Sequence, residues 1–152
     1  MESMQQILKF IDSNNVNKIV IDLRINPGGN FESGRRLIAE LKKRQKNGKT
    51  YVLIGRRTGS AAVVNAMDMQ KDLNAVLVGE PTGEKPNTYG DLEFMYLPNS
   101  GLSLGYSSNY YKFRDKEEDA LMPDYLIVPN WEDYANGRDA TLEWILASGK
   151  KE

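Results

Sequence analysis

Two turns and one lysine are where this chain could do chemistry. In "GRRTGSAA" (55–62) a lone serine stands between a glycine and two alanines, where one apolar run hands over to another. At a helix start the backbone N–H groups lack acceptors and the dipole end is positive. A serine placed there, Ser60, stands where a developing oxyanion is favoured. Gly59, Ala61 and Ala62 are small enough to let a substrate backbone come close. The turn "RINPGGN" (24–30) carries Gly28 and Gly29, whose N–H groups would reach the same spot if both turns sit at one end of a sheet. The simpler readings are a serine that only caps a helix and a Pro-Gly-Gly that only turns the chain.

The rest of the composition narrows that chemistry. The chain has no histidine, so it holds no Ser-His-Asp triad. It has no cysteine, which excludes disulfides, thiolate nucleophiles and cysteine-based metal sites. A nucleophilic serine would need a lysine, a carboxylate or a group from outside the chain as its base. Lys85, in "GEPTGEKPNTYGD" (79–91), is the candidate. To act near neutral pH its pKa must fall from ~10.4 to roughly 7–8, a cost of about 3–4 kcal/mol that demands an apolar pocket. Glu84 opposes that fall if its carboxylate points the same way. The glycines fit neither GxGxxG nor GxxxxGK[ST], so no nucleotide loop is expected, and no metal or cofactor either.

The elements that must position these residues read as follows. "MESMQQILKFIDSNN" is an amphipathic helix with Met4, Ile7, Phe10 and Ile11 at helical spacing. Residues 17–23, 50–55 and 74–79 are short, continuous apolar strands, separated by helices over 32–49 and from Ser60 onward. That alternation predicts βαβ units with a parallel sheet covered on both faces. Ligands then bind beyond the C-terminal strand ends, where the loops 24–30, 55–60 and 79–90 all emerge. After Pro81 the texture changes to a hairpin over 91–107, a short strand over 123–129 and a closing helix over 137–148 capped by Asp139. Tyr106, Tyr110 and Tyr111 are expected to pack on the sheet.

At 152 residues, 40% hydrophobic and with a net charge of −1, the chain reads as one domain, 1–152. It offers no nucleic-acid partner, and the basic run from Arg35 to Lys49 reads as a solvated helix face. No apolar run approaches the ~20 residues of a membrane span.

"KIVIDLRINPGGN", "GRRTGSAAVVNAM" and "VGEPTGEKPNTYGD", in that order, resemble the C-terminal processing (tail-specific) serine peptidases. The likeness is strongest to a branch whose third motif reads GEPTGxxPNxYGD, and the closing "PDYLIVPNWEDYANGRDATLEWIL" is similar to that branch too. The resemblance implies an α/β fold, a ClpP/crotonase-like ββα superhelix core, and serine-type cleavage of polypeptides. Ser60 matches the nucleophile, and the oxyanion hole maps onto Gly28, Gly29 and Ala61. In the lysine-using members the base follows the serine by twenty-five residues, which is Lys85 here. Those members read S-A-S-E and T-F-G-K-G, where this chain has Ser60-Ala61-Ala62-Val63 and Thr82-Gly83-Glu84-Lys85-Pro86. Relatives of the tricorn type take a histidine from an earlier part of the chain instead. The family also implies missing N-terminal domains, an extracytoplasmic parent protein and a possible homo-oligomer. Two other classes stay open: a non-catalytic peptide- or ligand-binding module, and an acyl-CoA enzyme by analogy of fold alone.

Overall fold

A computed structural model describes residues 2–44 and 48–148. Along the chain run α1 (Glu2–Ser13), β1 (Lys18–Asp22), α2 (Phe31–Arg44), β2 (Lys49–Ile54), α3 (Ala61–Leu73), β3 (Val76–Gly79), β4 (Thr88–Tyr96), β5 (Ser103–Tyr111), β6 (Tyr125–Leu126), α4 (Trp131–Ala135) and α5 (Ala140–Ala147). The fold is mixed α/β. Its main sheet has the order β1-β2-β3-β6 with every pair parallel, and β4–β5 form a separate antiparallel hairpin. The stretch 45–47, expected to continue the second helix, lies outside the described residues.

Strand β2 explains why the sheet takes helices on both faces. Val52 and Ile54 point to one side, into a cluster with Ile38 and Leu41 of α2 and Val63, Ala66, Met69 and Leu73 of α3. Tyr51 and Leu53 point to the other side, where Ile145 of α5 covers them with Trp144 packed alongside. Residues Val52 to Ile54 are at most 1% exposed. A strand buried on both faces must be apolar throughout, which is the continuous run read in the sequence. Each such side chain contributes roughly 1.5–3 kcal/mol through burial. Lys18 ties the same layers together, its Nζ donating to the carbonyl of Ser148 at 2.6 Å, beyond the end of α5.

Several expectations shift. The inward face of α1 is Met4, Leu8 and Ile11, while Ile7 and Phe10 are exposed by 52% and 64%. The basic run on α2 is solvated but not isolated. Arg35 and Lys42 meet Asp68 and Asp72 of α3, and Arg44 meets Asp12 of α1. Its charge is thus offset by neighbouring helices. The tyrosines do not pack on the parallel sheet. Tyr106 and Tyr110 are about half exposed on the hairpin, hydrogen-bonded to Glu93 and Glu117, and Tyr111 stacks on Phe113. Most residues of the hairpin are solvent-facing.

The expected strand over 123–129 shrinks to two residues paired beside β3. Asp139 caps α5 as expected, accepting from the Leu142 N–H. A short helix, α4, was not anticipated; Asn130 caps it by accepting from the Asp133 N–H. No described helix is long and apolar enough to cross a membrane.

Candidate active site

Parallel registry brings three loops to one end of the sheet. Asp22 pairs with Leu53 and Ile54 with Gly79, so the chain leaves β1, β2 and β3 side by side. Leu23 N–H still reaches the Leu53 carbonyl at 2.9 Å, and Glu80 N–H reaches that of Ile54 at 3.1 Å. Beyond those bonds the loops are stitched by groups at the turn before α3.

Thr58 is the knot. It is completely buried; its Oγ1 donates to the Leu23 carbonyl at 2.7 Å and accepts from the Gly55 N–H at 3.0 Å. Its own carbonyl accepts from Gly83 N–H at 3.2 Å, while the next residue, Gly59, donates to the Asn26 carbonyl at 3.1 Å. One threonine thus links the ends of β1 and β2 and the loop after β3. The sequence marks no motif here. The only signal is a β-branched hydroxyl residue two positions before the serine.

The structure answers the question that Ser60 poses. Ser60 precedes α3 at its N-cap position, yet its side chain makes no capping hydrogen bond and the residue is exposed. Its backbone lies at φ 46° and ψ −126°, on the left-handed side that a non-glycine residue adopts only when its surroundings enforce it. Gly28 is one enforcer. At φ +115° it lies so close that an added Cβ would fall 2.6 Å from Ser60 Cβ and 3.0 Å from Ala61 N. The two turns therefore meet, as the sequence reading required. Gly29, at φ +129°, faces open space.

The donors divide. Gly28 N–H is taken by Asn26 Oδ1 at 2.9 Å, so Gly28 serves as close packing and not as an open donor. Among the described residues the Gly29 and Ala61 N–H groups make no hydrogen bond, and Ala61, first in α3, has no intrahelical acceptor. The small neighbours also have a different use from that expected. Ala61 and Ala62 are buried in the helix packing, and Gly59 is small because Glu84 and the Pro27 carbonyl crowd it.

Lys85 is engaged elsewhere. Its Nζ donates to Asp119 at 2.8 Å, and both side chains are largely exposed. The hydrogen bond from Asp119 holds the ammonium above the ordinary lysine range, opposite to the shift a general base needs. It is Glu84 that turns toward the serine: Oε2 accepts from the Ser60 N–H at 2.6 Å. Glu84 and Gly83 border a hollow of about 270 Å³ with Pro27, Arg56, Arg57, Thr58 and Gly59. A larger hollow of about 540 Å³ runs along Lys112 to Lys116 and Glu118 and includes no residue of these loops.

Two anchors hold the loops from behind. Arg24, at the exit of β1, binds Asp22 and reaches Asp139 through two bonds of 2.9 and 2.7 Å. Those hydrogen bonds push the guanidinium pKa up and hold the Asp139 carboxyl below its ordinary range. Asn87, buried at the base of the hairpin, accepts from the Phe113 and Arg114 N–H groups and donates to the Arg114 carbonyl.

Known proteins align with this arrangement. The model of peptidase family S41 matches residues 35–127, which include the Ser60 turn and the loop after β3. A solved structure from Parabacteroides merdae, assigned as a peptidase, superposes with a TM-score of 0.72 at 19% identity, covering 96% of this chain and 57% of that one. A Bacteroides fragilis protein assigned to the S41 proteases gives 0.65 at 18%, covering 99% and 50%. The photosystem II D1 C-terminal processing protease gives 0.58 at 18%, covering 84% and 39%. At these identities the likeness is one of fold. The chain spans about half the length of the first two structures. No curated protein sequence matches it.

Proposed function

Because the chain belongs to peptidase family S41, we propose that it is part of a serine peptidase core that cleaves polypeptides through an acyl-enzyme on Ser60. The observation that carries the proposal is the meeting of Gly28 with an exposed, uncapped Ser60 at the head of α3. Ser60 Oγ attacks the scissile carbonyl carbon, and its proton passes to a general base. The carbonyl oxygen becomes an oxyanion received by the Gly29 and Ala61 N–H groups. The C–N bond breaks as the leaving amine takes that proton, and water then hydrolyses the ester by the same route. Lys85 donates to Asp119, and that hydrogen bond raises its pKa, which supports a base other than Lys85. We assign that role to a group outside this chain, as in the tricorn-type relatives. The missing N-terminal domains would carry it, in an extracytoplasmic parent protein whose C-terminal processing specificity the D1 protease likeness suggests.

The test is covalent labelling. The full-length protein should react with a fluorophosphonate probe at Ser60, and Ser60→Ala should abolish the adduct. Undiminished labelling of that variant overturns the assignment. A second reading, a non-catalytic peptide-binding module on the same fold, is favoured by the pairing of Lys85 with Asp119. It predicts peptide binding that Ser60→Ala leaves intact, with no turnover by the full-length protein.

A further inference from the structure

Ser60 holds an unfavourable backbone conformation in a solvent-facing turn, so something must keep it there. Several links run from this turn to neighbouring chain, the Thr58 hydroxyl to the Leu23 carbonyl and Arg56 to Glu80 among them. Gly83 N–H donates to the Thr58 carbonyl and Gly59 N–H to the Asn26 carbonyl, but both act on residues before the serine. The link on Ser60 itself comes from a side chain, Glu84, whose Oε2 accepts from the Ser60 N–H at 2.6 Å. Its other oxygen crowds Gly59, lying 2.8 Å from where a Cβ would stand, so the carboxylate straddles the peptide between the two residues. Thr82 braces it in turn, Oγ1 donating to the Glu84 carbonyl at 2.8 Å. The same Oγ1 accepts from the buried Leu121 N–H at 2.9 Å.

From this geometry we infer that Glu84 is a positioning residue for Ser60, its carboxylate clamping the Ser60 N–H so that the hydroxyl stays presented to substrate. The inference rests on Ser60 being the nucleophile; the contact itself does not. A hydrogen bond to an ionised acceptor is about twice as strong as a neutral one, which suits a turn that must be held against its own preference. Removing the acceptor frees the serine to relax toward ordinary helical φ, and the hydroxyl moves with it. A glutamine keeps an acceptor oxygen on the same stem without the charge.

Two measurements decide it. In the isotope-labelled chain the Ser60 amide proton should resonate downfield at neutral pH. It should move upfield in Glu84→Ala, and less so in Glu84→Gln. A Ser60 amide shift unchanged by Glu84→Ala overturns the inference. In the full-length protein Glu84→Ala should slow fluorophosphonate acylation of Ser60 roughly tenfold at unchanged melting temperature, and Glu84→Gln should recover most of the loss. Acylation by Glu84→Ala at or above the wild-type rate overturns it, as does a glutamine variant no faster than alanine. If wild type itself fails to label, the nucleophile assignment falls, and the amide shift alone judges the clamp.

Discussion

The two sides of the candidate site are built in opposite ways. On the Ser60 side, consecutive residues Thr58, Gly59 and Ser60 tie the turn to two other stretches of chain, 23–26 and 83–84, and Thr58 is wholly buried. On the Lys85 side, a solvated side chain pairs with an aspartate that is itself 97% exposed. Buried hydrogen bonds have one geometry and are costly to break, whereas exposed ion pairs contribute little and exchange readily with water. The place of Ser60 is therefore dictated by the fold, and that of Lys85 is not. A catalytic base must share the rigidity of its nucleophile, because misplacement by about 1 Å can cost a hundredfold in rate.

The sharpest way to break this contrast is Gly28→Ala. The new methyl would lie 2.6 Å from Ser60 Cβ, with backbone on both sides and no flexible side chain to yield. Fluorophosphonate labelling of Ser60 should fall by about a hundredfold, and stability by about 1–3 kcal/mol. Gly29→Ala is the control, since it carries a similar φ penalty but meets nothing within 4 Å. Equal losses in the two variants would mean that backbone conformation, not contact with Ser60, matters at this turn.

Next comes Thr58→Val, which keeps the shape and deletes the oxygen. The Leu23 carbonyl and Gly55 N–H would be left buried without their partner, so unfolding free energy should drop by about 2–4 kcal/mol. Thr58→Ser should restore most of it. Chemical denaturation of the three proteins measures this directly. A valine variant as stable as wild type would show that the loops are held by other contacts, and the Ser60 side would lose its claim to rigidity.

What the sequence disclosed follows the same divide. Continuous apolar strands, the Asp139 cap and the turn glycines are local signals, because each follows from what one residue needs of its immediate backbone. The convergence of Gly28 on Ser60 was inferable from strand order alone. Partners supplied by distant stretches were not. Asp119 lies thirty-four residues beyond Lys85, and Asp68 and Asp72 balance a basic helix read as a solvated face. Glu84 was visible only as a charge beside Lys85, and nothing local tells which way a loop carboxylate turns. The exposed hairpin tyrosines misled for a related reason. A strand-like run says nothing of whether another layer covers either of its faces.

The smallest effect tests the contrast most directly. Lys85→Met removes the ammonium and its bond to Asp119 while keeping much of the side-chain length. Both partners are solvated, so neither the melting temperature nor the rate of Ser60 acylation should change measurably. A rate that collapses with the fold intact would mean that the lysine leaves Asp119 and crosses to the serine when the site is complete. The loop after β3 would then need to rearrange on assembly, carrying Glu84 away from the Ser60 N–H, because neighbouring residues cannot both reorient and stay where they are. A lysine base requires the clamp to open, and a standing clamp requires the base to come from elsewhere.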